Sequence, residues 1–321
     1  MIDPYEHDPA RWGTSLAHTA ALSLPCLDAA SVESVAEIGA YAGDFTRVLV
    51  GWAAGSGARV SAIDPAPQPD LVELAGTHPE LELIRASSLD ALAEIPLPDA
   101  VVIDGDHNYF TVREELRLIG ERAPGAELPL LLFHDVVWPH GRRDDYFDAE
   151  AIPADMRHPQ AGPGNGLYPG DPGIRPGGLP YPRSATHEGG PRNGVLTAIE
   201  DFVAERDRLR LVVVPIFFGL GAVWHLDAPW SDAVAAILDP WDRNPLLERL
   251  EENRIQQIAS AFTATSELHA HKSGQEAMLR RIEGSSAFAV AAWLSRLRVR
   301  LGIAAEASAL SKEEIRRVLP D

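Results

Sequence analysis

The sequence predicts an α/β fold built on a doubly wound, mostly parallel sheet, and three observations carry that expectation. From residue 32 onward, short apolar runs of strand length alternate with amphipathic helical patterns, as strand–helix–strand units require. Glycines follow the first of these runs at a strand-to-helix turn, where backbone without side chains lets a ligand approach. Acids and histidines gather at the ends of later runs, the edge at which parallel α/β sheets carry their sites.

Taken in order, residues 14–30 carry small and apolar residues at helical spacing, broken by Pro25, and predict a helical cover within an N-terminal segment 1–31. The strand-type runs SVAEIGA, ARVSAID, LELIRAS, DAVVID and LPLLLFHDVV then alternate with the helical patterns FTRVLVGWAAG, PDLVELAGTH, LDALAEI and VREELRLIGERA. Five strands are therefore complete by Val137. Residues 138–193 are crowded with Pro and Gly and show no periodicity. Their position after the fifth strand favours a lid over the site, with a mobile surface loop as the plainer reading. A helix with Val195, Leu196, Ile199, Phe202 and Val203 on one side follows, and 209–226 reads as a closing hairpin turning near Phe218 to Gly221. These elements make one domain over 32–230. Residues 231–321 form a helical arm, with Leu247, Leu250, Ile255, Ile258 and Phe262 along one segment and Phe288, Val290, Ala291, Leu294 and Leu297 along another. The arm is a candidate packing surface, homo-oligomer interface or docking element.

Bulk properties narrow the partners. A net charge of −19 on 321 residues repels phosphate backbones and anionic lipid, so neither nucleic acid nor a membrane surface is expected, and a small-molecule partner fits. The single cysteine, Cys26, excludes an internal disulfide framework and a CxxC zinc site. With no basic and apolar leader and no apolar stretch of about 18 residues, the expected compartment is the cytoplasm.

The first strand runs into Glu37-x-Gly39-x-x-x-Gly43, and the second ends at Asp64, a carboxylate able to accept hydrogen bonds from a ribose diol. Each feature alone has a structural reading, as a turn or a helix cap; together they point to a nucleoside-type cofactor. The G-x-G-x-x-G spacing of a nicotinamide site is missing, which places an oxidoreductase last. The fourth and fifth strands end in Asp104-Gly105-Asp106-His107 and His134-Asp135, bringing carboxylates and imidazoles to the same sheet edge. Such a set can bind a hard divalent cation that polarises a hydroxyl while a neighbouring histidine removes its proton.

These residues resemble the class I S-adenosylmethionine (SAM)-dependent methyltransferases, over about residues 32–228. The resemblance implies a seven-stranded Rossmann-like methyltransferase fold whose last two strands form a reversed pair. It also implies that Glu37, Gly39, Ala40, Tyr41 and Gly43 border the amino-acid part of SAM, that Asp64 holds the ribose, and that Ser88, in Ser87-Ser88-Leu89, lies by the adenine. Within that superfamily, IDGDHNYFTVREEL followed by FHDVVWP is similar to the branch of macrocin-type sugar O-methyltransferases and cephalosporin hydroxylase-like proteins. That likeness implies Asp104, His134 and Asp135 as ligands of Mg²⁺ or Mn²⁺, His107 as the base, and His187 as a second catalytic or substrate-contacting histidine. An imidazole, His134, stands where the branch has a carboxylate, so either the ion is an adaptable one such as Mn²⁺ or His134 is not a ligand. The implied activity is metal-assisted O-methylation of a sugar-bearing or other small natural product. Its rivals are a metal-free N- or C-methyltransferase and a non-catalytic SAM-binding subunit.

Overall fold

The computed structural model of the chain describes residues 14–303; the outer parts of the N-terminal segment and C-terminal arm, 1–13 and 304–321, lie outside the described residues. A seven-stranded sheet organises the chain, in the order β3-β2-β1-β4-β5-β9-β8. Its strands are β1 (Ser34–Ile38), β2 (Arg59–Ile63), β3 (Leu81–Ile84), β4 (Ala100–Ile103), β5 (Leu130–Phe133), β8 (Leu209–Val214) and β9 (Leu220–His225). The first five are parallel; β9 runs antiparallel to both β5 and β8. The expected doubly wound sheet with a reversed final pair is therefore observed.

Burial explains the continuous apolar runs. β4 and β5 are buried at every position, because helices cover both faces. One face packs Val35, Val60, Val102 and Leu132 against α1 (Ala20–Ala29), α2 (Asp44–Ser56), α3 (Pro69–Thr77) and α7 (Ser231–Leu238). The other packs Ile38, Ile63, Ile103 and Phe133 against α4 (Ser88–Glu94), α5 (Tyr109–Arg122) and α6 (Val195–Ala204). Pro25 does not break α1 as its sequence predicts: the helix runs through it. Burial of Ser23, Cys26 and Leu27 outweighs the one backbone hydrogen bond that proline removes.

The stretch 138–193 holds only one regular pair, the two-residue strands β6 (Asn165–Gly166) and β7 (Arg175–Pro176), yet it is firmly packed. A buried polar spine replaces periodic apolar residues. Asp144 accepts from the backbone N–H groups of Tyr109 (2.8 Å) and Gly194 (2.7 Å) and from the Tyr146 hydroxyl (2.9 Å). The Arg143 guanidinium donates to the carbonyls of Ala185 (2.6 Å) and Pro172 (2.8 Å).

The described chain divides into two compact units, one ending at Ala259 and the other beginning at Ser260. α7, which the sequence groups with the C-terminal arm, lies in the first unit, where Val234 and Leu238 join the core. α8 (Pro245–Gly284) opens in the first unit and continues into the second, which also holds α9 (Ser286–Arg300). No helix among the described residues is long and apolar enough to cross a membrane.

Candidate active site

Strand register places the site. The ladder pairs Ile63 with Ile38, Ile38 with Ile103, and Ile103 with Phe133. The next residue on each strand is Asp64, Gly39, Asp104 or His134, and each still donates its N–H to the last residue of the neighbouring strand, at 2.9–3.0 Å. These four residues thus form a row along the carboxyl edge. The strand order reverses between β1 and β4, the switch point at which open α/β sheets leave a crevice for a ligand.

Around Gly39 the backbone is crowded. Gly39 has φ +83°, and a Cβ there would lie 2.2 Å from the Asp104 carbonyl oxygen and 2.3 Å from Gly105 Cα, so only glycine fits. Ala40 accepts the Gly43 N–H at 2.7 Å, and Tyr41, exposed with φ +44°, donates its N–H to Asp64 Oδ2 at 2.7 Å. Asp64 Oδ1 accepts from Ala66 N at 2.7 Å, so the carboxylate is fixed by backbone and keeps lone pairs to spare for a ligand. Glu37 is buried beneath the loop and accepts from the Thr46 hydroxyl at 2.6 Å; burial pushes its carboxyl up to about 8. Ser88 stands in the first turn of α4, behind the N-cap Ser87, at the end of the neighbouring strand. The structure therefore gathers the predicted cofactor residues along β1, β2 and β3 at one edge.

The second cluster lies beside it. His107 Nε2 is 3.1 Å from Asp135 Oδ2 and 3.5 Å from Asp104 Oδ1, while His134 Nδ1 is 3.2 Å and 3.1 Å from the same two oxygens. Asp135 has φ +55°, which turns its carboxylate back into the cluster. Against burial, which favours the neutral ring, the charges of Asp135 and Asp104 raise His107 to about 9. The same acids raise His134 well above the usual imidazole range, again against burial. Asp104 and Asp135 fall below the usual carboxylate range because the two imidazoles outweigh their burial.

Asp104, His107 and Asp135 offer ligand atoms that all lie within 4.8 Å of one another, a donor set suited to a divalent cation. His134 stands behind that set: its Nε2 donates to the Phe217 carbonyl at 2.8 Å, leaving only Nδ1 toward the carboxylates. His187, expected as a second catalytic histidine, is exposed, and its ring makes no hydrogen bond or ion pair among the described residues.

A histidine the sequence reading passed over is in the cluster instead. The His140 ring stacks on His107 with centroids 5.1 Å apart and meets Tyr181 edge-on at 5.0 Å. It is buried, and its Nδ1 is without a hydrogen-bond partner among the described residues. Its only sequence signal was its place five residues past Asp135, inside the irregular stretch.

Glu115 was also missed. It is fully buried on α5, both carboxyl oxygens are without a hydrogen-bond partner among the described residues, and burial pushes it up to about 8. A carboxyl raised in the folded state loses stability as pH climbs from its unfolded value near 4.5 through about 8. Glu115→Gln, isosteric and uncharged, is expected to raise the melting temperature at pH 8 and leave it unchanged at pH 4. Calorimetry at the two values checks this; an equal shift at both would contradict it.

Residues 36–136 match the model of a family described as a methyltransferase domain. A search of curated proteins found no match. Among solved structures, the chain is similar to SAH-bound Podospora anserina methyltransferase PaMTH1, at 14% identity over 67% of this chain and 81% of that one, with a TM-score of 0.41. It is similar to a Geobacter sulfurreducens methyltransferase at 13% identity, over 71% and 91%, with a TM-score of 0.38. It is also similar to the O-methyltransferase NcsB1 of neocarzinostatin biosynthesis, in complex with SAM and 2-hydroxy-5-methyl naphthoic acid, at 16% identity over 69% and 60%, with a TM-score of 0.38.

Proposed function

We propose that this chain, whose residues 36–136 match a methyltransferase-domain model, is a SAM-dependent methyltransferase acting on a hydroxyl oxygen of a small molecule with a divalent cation held by Asp104, His107 and Asp135. The observation that carries the reading is the convergence of those three side chains at the carboxyl edge of the sheet, where the backbone of Asp104 packs against Gly39. Two carboxylates and an imidazole fit Mn²⁺ as well as Mg²⁺, in keeping with the imidazole-rich character of the cluster.

The residues divide the work. Gly39, Ala40, Tyr41 and Gly43, supported from beneath by the buried Glu37, form the surface for the amino-acid part of SAM, Asp64 accepts from its ribose, and Ser88 borders its adenine. Gly39 brings that surface against Asp104 without an intervening side chain, so donor and acceptor meet across one backbone thickness. A bound cation supplies polarisation of the acceptor hydroxyl, which lowers the hydroxyl's pKa. His107, expected as the base, serves here as a ligand, and the hydroxyl proton passes to His140, whose ring stacks on His107 and whose Nδ1 has no hydrogen-bond partner among the described residues. His140 is a better-supported second histidine here than His187. The packed segment 138–193 keeps water from this side, and the class of acceptor most consistent with the sequence likeness is a glycosylated natural product.

A second reading, metal-free transfer, is favoured by one observation: the His107 ring lies 3.1 Å from Asp135, where the carboxylate charges favour its protonated form without a cation. The two separate on proton release. Because the ring must lose its proton to become a ligand, calorimetric titration with Mn²⁺ at pH 7.5 in buffers of differing ionisation enthalpy is expected to show about one proton released per ion. No heat of binding, with turnover insensitive to chelator, would favour the metal-free reaction.

A further inference from the structure

We propose that Glu251 is a positioning residue of this site: it holds the Phe217–Phe218 turn so that the Phe217 carbonyl keeps the His134 ring against Asp104 and Asp135. The inference concerns the cluster described under the proposed function, and its link to a cation rests on that reading. Its geometric core does not.

The turn joining β8 to β9 is one the chain does not adopt unaided. Phe217, Phe218 and Gly219 have φ of +52°, +65° and +97° in succession, and two of the three are bulky residues for which the left-handed region is an outlier. Such a run leaves consecutive N–H groups pointing the same way, a small concavity that suits an anion. Glu251 fills it. Its Oε2 accepts from Phe217 N at 3.0 Å and its Oε1 from Phe218 N at 2.8 Å, and the carboxylate is 4% exposed, so this pairing is shielded from water. Arg254, one turn along α8, completes the set: its Nε donates to Oε2 at 2.7 Å and its terminal nitrogen to Oε1 at 2.6 Å, with the guanidinium 4.6 Å from the Phe218 ring.

What the clamp delivers lies on the other side of the turn. With both N–H groups committed to Glu251, the Phe217 carbonyl is directed at His134 Nε2, 2.8 Å away. A carbonyl only accepts, so Nε2 carries a proton, and Nδ1, facing the acceptor oxygens of Asp104 and Asp135, carries one as well. The next carbonyl, of Phe218, accepts from Val137 N at 3.0 Å, tying the same turn to the segment just past Asp135. The first turns of α8 thus reach the cluster through one strained turn, in the way that outer hydrogen bonds fix the aim of a site histidine.

The test uses the full chain labelled with ¹⁵N in its histidine rings. The wild type is expected to show a slowly exchanging His134 imidazole N–H signal, assigned by its loss in His134→Gln. In Glu251→Gln the amide cannot accept from two N–H groups while facing Arg254, so that signal is expected to disappear. Mn²⁺ affinity should fall about tenfold or more, with SAM affinity unchanged. Glu251→Asp, which restores the charge, should recover much of both. A folded Glu251→Gln protein that keeps the His134 signal overturns the proposal. A variant that does not fold assigns Glu251 to stability alone and overturns it too. If wild-type protein binds no Mn²⁺, the cation reading fails while the His134 signal still decides the role of Glu251.

Discussion

Replacing Gly39 with alanine is expected to abolish SAM binding and to lower the melting temperature by about 5–15 °C, the equivalent of about 2–4 kcal/mol for overpacking together with a left-handed alanine. The atoms a Cβ would strike, at 2.2 and 2.3 Å, are backbone of Asp104 and Gly105, which cannot rotate aside as a side chain can. Relief requires prising β1 from β4 at the switch point, which moves the cofactor surface and the acidic cluster together. Gly51→Ala is the control. It lies in the middle of α2 with nothing within 4 Å of a new Cβ, and it should be neutral or stabilising by up to about 1 kcal/mol. Calorimetric titration with SAM and a thermal melt on both variants check the contrast; equal behaviour would refute it.

The second large effect is expected from Asp135→Asn: a loss of Mn²⁺ affinity and of methyl transfer by about a hundredfold or more, with SAM binding retained. Asparagine tolerates the left-handed backbone at φ +55°, so the chain should still turn back into the cluster and the fold should survive. The variant also reads out the ion pair in the cation-free protein. His107 is raised from 6.5 to about 9 in the folded chain, so the stability it contributes is fully present below pH 6.5 and is lost as pH rises through about 9. Denaturant unfolding across that window should show the wild type losing stability toward alkaline pH. The Asp135→Asn curve should be flatter, since the first charge that raises His107 is gone. A curve of unchanged slope would mean that Asp135 does not hold the His107 proton.

The readability of this chain follows the range of the interactions involved. Strand and helix alternation is written locally, in apolar runs buried on both sheet faces, and so Val101, Val102, Leu131 and Leu132 announce their strands. Gly39, Asp64, Asp104 and Asp135 were legible for a related reason. A residue within two positions of the end of a parallel strand must lie at the carboxyl edge, whatever the rest of the fold does. Pro25 misled because its local penalty is small beside the burial that tertiary contacts provide.

The irregular stretch carries no such code. Arg143 and Asp144 are buried there through polar contacts with Tyr109, Ala185 and Gly194, partners about 35 to 50 residues away for which no periodicity exists. His140 was illegible for the same reason: its value depends on the ring of His107 lying 5.1 Å from it.

By itself, then, the sequence determined the strand order's raw material, the cofactor-side loop from Glu37 to Gly43 and the presence of acids and histidines on one edge. Each of these depends on a residue's position relative to its own strand. Only the tertiary structure decided which of the two imidazoles beside the carboxylates is locked to a backbone carbonyl and which is not. That depends on a carbonyl from Phe217 and a carboxylate from Glu251, 83 and 117 residues beyond His134, reaching the same few ångströms.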